Sequence, residues 1–98
     1  MDINKIESAN AVTLELTGRL DTTTAPQLEA ELKDCMDTAE ALTLDFAKLE
    51  YISSAGLRVL LAAQKVMGKK GGMVLRNVCP EIMEVFEITG FSDILTIE

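Results

Sequence analysis

The chain has 98 residues, nearly half of them hydrophobic, with three Phe, one Tyr and no Trp, so aliphatic side chains must fill the core of a single small domain. Sixteen acidic residues against nine basic ones give a net charge of −7. Such a surface repels nucleic acid unless its few cations cluster, and only Lys69 and Lys70 are adjacent, before Gly71-Gly72 in what reads as a loop. There is no His, and Cys35 and Cys79 lack metal-ligand spacing, which excludes the common zinc sets and leaves both thiols reading as free and buried. No apolar run reaches the roughly 18 residues of a membrane span. The start, Met1-Asp2-Ile3-Asn4-Lys5, carries no signal-peptide core, so the expectation is a cytoplasmic protein with no membrane insertion.

In chain order, a first strand is predicted over Asp2–Glu7, with a turn at Ser8-Ala9-Asn10. From Ala11 to Thr17 the residues alternate, with Val12, Leu14 and Leu16 on one face and Thr13, Glu15 and Thr17 on the other, as a half-buried strand requires. Gly18-Arg19-Leu20-Asp21 is expected to end it. Thr24 and Gln27 have capping-box spacing, Pro26 suits a first helical turn, and Leu28, Leu32, Cys35 and Met36 recur at helical intervals. Ala41–Phe46 reads as the next strand. After Tyr51-Ile52-Ser53-Ser54-Ala55-Gly56 the pattern changes to a helix over Leu57–Met67, closed by Gly68, Gly71 and Gly72. Met73–Asn77 reads as a strand, Pro80 opens a third helix running to Gly90, and Ile94–Ile97 is a short last strand. The order β-β-α-β-α-β-α-β implies a mixed α/β sheet with an antiparallel opening pair and parallel crossovers. Charged residues at alternate strand positions, such as Glu15, Asp45 and Arg76, place the helices mainly on one face.

The sequence offers little for catalysis. No Ser-His pair, nucleophile elbow, Walker loop or dinucleotide fingerprint is present, so a non-enzyme without cofactor or metal is expected. The informative segment is Ser53-Ser54, where a strand gives way to a helix. Ser is a preferred N-cap worth about 1 kcal/mol. The same place accommodates a phosphate, because a helix start has free N–H groups and the positive end of the dipole. One hydroxyl can serve both roles, so both readings stand at this point. The helix that follows carries two apolar stripes, one of Ala55, Val59, Ala62 and Val66, the other of Leu57, Leu60, Leu61 and Met67. Arg58, Lys65 and Lys69 form a narrow polar strip between them. Either the helix is wedged between its neighbours and the sheet, or part of this arc faces a partner.

Four segments in order resemble the anti-sigma-factor antagonists, bacterial members of the STAS domain family, over nearly the whole of residues 1–98. They are Leu16-Thr17-Gly18-Arg19-Leu20-Asp21, Leu44-Asp45-Phe46 with Tyr51 to Leu57, Gly71-Gly72 with its strand, and Val85 to Phe91. The resemblance implies a partner-switching phosphoprotein that regulates transcription. Its unphosphorylated form binds an anti-sigma factor that is also a serine kinase and so frees the sigma factor. Phosphorylation ends the binding, and a serine phosphatase restores it. The family's acceptor is followed by a small residue and Gly, which places it on Ser54 before Ala55-Gly56. The Asp that usually precedes it is replaced by Ser53, which becomes an alternative acceptor. The implied contact surface comprises Asp21, Thr22 and Thr23 of one loop, Ser53 and Ser54 of the other, and Ala55, Gly56, Arg58 and Val59 on the helix. The alternative is a constitutive STAS interaction module of a stress-signalling complex or a transporter.

Overall fold

The alternation of Val12, Leu14 and Leu16 with polar neighbours is realised in a five-stranded sheet of order β1-β2-β3-β4-β5. The computed structural model describes residues 1–98. Its strands are β1 (Asp2–Ser8), β2 (Ala11–Leu20), β3 (Ala41–Ile52), β4 (Met73–Arg76) and β5 (Thr96–Ile97). Its helices are α1 (Ala25–Met36), α2 (Ser54–Met67) and α3 (Pro80–Thr89), with a 3-10 turn at Phe91–Asp93. The β1–β2 pair is antiparallel and the other three pairs are parallel. Each parallel step moves the chain one strand further in the same direction. Right-handed crossovers then lay α1, α2 and α3 on one face of the sheet. The buried strand residues, among them Leu14, Leu44, Phe46 and Leu75, all serve that face, while Glu15, Asp45 and Arg76 alternate with them on the other. The mixed sheet, the element order and the one-sided helix layer agree with the sequence reading.

Two strands are longer than their alternation indicates. β2 runs on to Leu20 and β3 to Ile52, past Thr17 and Phe46. In β2 Gly18 interrupts the apolar pattern between the buried Leu16 and Leu20, and in β3 the reason lies in the register. Glu15 pairs with Asp45 but Thr17 with Lys48, and Gly18 pairs with Leu49 but Arg19 with Tyr51. β3 therefore carries two extra residues. Its buried positions become Phe46, Leu49 and Ile52, a spacing of three that breaks the period of two. Gly18, with φ of +106°, lies at the second irregularity. At the other end, Asn77 takes a positive φ and leaves β4 one residue early, and the 3-10 turn delays β5 from Ile94 to Thr96.

The two thiols differ from the expectation in part. Cys35 is buried, and that burial pushes its pKa up, whereas Cys79 is only partly buried at the start of α3. Both are free. The Lys69-Lys70-Gly71-Gly72 loop has a structural task. Lys70 Nζ donates to the carbonyls of Met36 and Ala39 at the C-terminal end of α1. Gly71 N–H donates to Glu40 O at 2.7 Å, and a Cβ on Gly71 would stand 2.3 Å from that oxygen.

Candidate functional site

β2 and β3 are parallel neighbours whose last residues, Leu20 and Ile52, are register partners. The starts of α1 and α2 therefore emerge side by side at the carboxyl ends of the strands, where open α/β sheets place their sites. Two contacts hold the pair of loops together. Ser53 N–H donates to Leu20 O at 2.9 Å. Gly56, in the first turn of α2, lies so close to the sheet that a Cβ would meet Leu20 Cγ at 2.7 Å and Ile52 Cγ1 at 3.0 Å. Gly is required there by proximity, and this packing brings the Asp21 loop against the Ser54 loop.

The structure divides the two serine roles that the sequence left on one hydroxyl. Ser53 is the N-cap of α2: its backbone is extended and its Oγ accepts from Gly56 N–H at 3.5 Å. Ser54 is the first helical residue and is exposed. The reading of Ser54 as a plain cap is thus corrected, because the cap position falls one residue earlier. α2 also begins at Ser54 and not at Leu57. Ser54 and Ala55 contribute N–H groups that have no intrahelical acceptor by the geometry of a helix start.

The other loop is closed on itself. Asp21 Oδ1 accepts from the N–H of Thr23 at 3.0 Å and of Thr24 at 3.1 Å. The bond from the Thr24 backbone contributes most to holding the Asp21 carboxyl below its ordinary pKa, with Thr23, the Thr24 hydroxyl and Arg19 adding to it. Thr24 Oγ accepts from Asp21 N–H and donates to Arg19 O at 2.8 Å. The expected Thr24–Gln27 capping box does not form. Thr24 has helical backbone angles, its hydroxyl is engaged in the turn behind it, and the Gln27 amide reaches Met1 O at 2.8 Å. Arg19 stacks over the Tyr51 ring at 4.2 Å and lies 3.8 Å from Asp21.

Between the two helix starts is an open cavity of about 230 Å³. Thr22, Ala55, Arg58 and Val59 line it, as do Ala25, Pro26 and Glu29. Of the predicted contact residues, Asp21 and Thr23 shape the adjoining turn, Gly56 is buried beneath it, and Ser53 and Ser54 start the helix beside it. Sequence reasoning missed Pro26 and Glu29, although Thr22, Ala25, Pro26 and Glu29 have the spacing of one helical face. It also missed Arg19 and Tyr51, whose pairing depends on the bulged register. No three His, Cys, Asp or Glu side chains converge to hold a metal ion.

The family model described as "Mlab, STAS domain" matches residues 3–96. The chain belongs to the STAS domain family. Among relatives, BtrV of Bordetella bronchiseptica, named as an anti-sigma factor antagonist, is 45% identical over 84 residues, which cover 84% of this chain and 72% of BtrV. An anti-sigma factor antagonist from Mycobacterium paratuberculosis superposes on this STAS domain with a TM-score of 0.89 at 24% identity, over 98% of this chain and 83% of that one. The phosphorylated form of the Bacillus cell-fate determinant SpoIIAA gives a TM-score of 0.77 at 19% identity, over 99% and 91% of the two chains. The two structural likenesses are likenesses of STAS fold. No helix of this domain is long and apolar enough to cross a membrane.

Proposed function

We propose that this STAS domain is an anti-sigma factor antagonist in the cytoplasm, switched by phosphorylation of Ser54. In its unphosphorylated form it binds an anti-sigma factor with serine-kinase activity. Phosphorylation by that partner ends the association, and a serine phosphatase restores it. The observation that carries the reading is the exposed Ser54 hydroxyl at the first position of α2, with the capping duty taken by Ser53. The name of BtrV, at 45% identity, supports the same direction.

The chemistry follows from the site. A phosphate on Ser54 brings roughly −1.5 to −2 charges at neutral pH. The helix start stabilises it through free N–H groups and the dipole. On docking, the same group would be partly desolvated against the partner, and an unpaired buried phosphate is costly by several kcal/mol in order of magnitude. The switch therefore needs no rearrangement inside the domain.

The test is incubation with the anti-sigma kinase and ATP, read by mass spectrometry. One phosphate on the wild type and none on Ser54→Ala is the expected result. Undiminished phosphorylation of Ser54→Ala, mapped to Ser53 or elsewhere, overturns the assignment. A second reading is a constitutive STAS interaction module of a stress complex or a transporter. It is favoured by Ser53, since no carboxylate stands beside the acceptor. Stable partner binding with no phosphate transfer would select it.

A further inference from the structure

The groove between α1 and α2 does not end at the Ser54 site. Beyond Glu29 and Val59 it continues into a second cavity of about 160 Å³, floored by Leu32, Met36, Ala62 and Ala63 and edged by Val66. Its lining is mostly apolar, and Val66 remains 42% exposed. Along the outer side of α2 runs a strip of cations. Arg58 and Lys65, seven residues apart, lie on one line of α2, and Lys69 follows in the turn just past the helix end at Met67. All three are exposed, and none takes part in an ion pair of the fold. Lys70, by contrast, is engaged by the end of α1. From Tyr51 to Pro80 the chain has no Asp or Glu, although it holds sixteen acids elsewhere. An acidic protein thus keeps the α2 side of this groove free of acids, while the α1 side carries Glu29 and Lys33, which pair with each other.

We propose that this distal groove docks an amphipathic helix of a partner protein, its apolar side chains seated over Met36, Ala62 and Val66 and its carboxylates along Arg58, Lys65 and Lys69. The proposal rests on the partner-binding reading above and names the chemistry of the element that binds. A helix suits the site because two packed helices leave a straight channel that reads anchors at i, i+3, i+4 and i+7. The small side chains of Ala62 and Ala63 let an incoming helix approach closely. Unpaired cations select acidic flanks over basic ones. Lys65 is 11 residues beyond Ser54, about 16 Å along the axis at 1.5 Å per residue. That exceeds the Debye length of about 8 Å at physiological salt. A phosphate on Ser54 acts on the upper half of the groove and leaves the lower half as an anchor.

The test titrates the isotope-labelled, unphosphorylated full chain with a synthetic helix of about five turns. It carries Leu at i, i+3, i+4 and i+7 and Glu on its flanks, and a twin peptide has Lys in place of Glu. The expected result is amide shifts at Met36, Ala62 and Val66, with the Glu peptide bound roughly ten-fold tighter than the twin, a difference of about 1.4 kcal/mol. The double variant Lys65→Glu/Lys69→Glu should lose most of that preference while keeping a folded spectrum. Equal binding of the two peptides, shifts centred elsewhere, an unchanged charge-reversed variant or no binding overturns the proposal. So does sedimentation of the chain alone that shows the groove filled by a second copy. No kinase enters this measurement, so its failure leaves Ser54 phosphorylation standing, and an unmodified Ser54 leaves the groove standing.

Discussion

α1 and α2 start side by side at the carboxyl ends of β2 and β3, yet their first turns are built in opposite ways. At α1 the N–H groups of Thr23 and Thr24 go to the Asp21 carboxylate, that of Ala25 goes to Asp21 O, and Pro26 has none to offer. At α2 the cap is a single long bond from Gly56 to Ser53 Oγ, and Ser54 stands exposed. One helix start is already occupied by its own carboxylate. The other is open to an added anion. Two adjacent helix starts thus differ in how their N–H groups are bonded because of the few residues that precede them.

The contrast can be broken first at its packing. Gly56→Val should cost about 3 kcal/mol in urea unfolding, since its Cβ would meet Leu20 Cγ at 2.7 Å, closer than real side chains approach, and crowd Ile52 Cγ1 at 3.0 Å. It should also weaken partner binding by parting the two loops. An unchanged unfolding midpoint would show that the close approach is not required. Ser53→Ala should cost about 1 kcal/mol as a lost N-cap and still yield a phosphorylated Ser54. Loss of phosphate transfer in that variant, with the fold intact, would make Ser53 more than a cap. Ser54→Ala should leave stability within about 0.5 kcal/mol of wild type while removing the acceptor, and Ser54→Asp should weaken partner binding measured by calorimetry.

The smallest effect concerns the closed start at α1. The Asp21 carboxyl has a folded pKa below its unfolded one, so its contribution to stability is complete above the unfolded value of about 3.9. It is lost as pH falls through the lower folded value. In denaturant titrations from neutral pH downward, wild type and Asp21→Asn should therefore converge in acid. A gap that stays constant with pH would assign the difference to something other than the carboxylate charge.

Much of the fold was legible because its signals are local. Alternation placed β2 and β3, helical spacing placed α1 and α2, and Pro80 and Gly90 bracket α3 as expected. The misreadings share one cause. The two bulges that break alternation in β3 after Phe46 are properties of its pairing with β2 and not of either strand alone. The capping box at Thr24 and Gln27 had the right spacing, but both side chains found other partners that the fold delivered.

The same division runs through the site. Sequence by itself determined that two serines stand at the start of an amphipathic helix, that Arg58, Lys65 and Lys69 are spaced as one strip along it and just past it, and that all sixteen acids lie outside residues 51–80. Tertiary structure decided which serine caps and which is free, because the start of α2 is fixed by Ser53 N–H on Leu20 O and by Gly56 against Leu20. It also decided that the cation strip flanks an open groove, since that groove exists only where α1 and α2 pack together. Hydrogen-bond periodicity is written within a few residues of chain, whereas these contacts join residues about thirty positions apart.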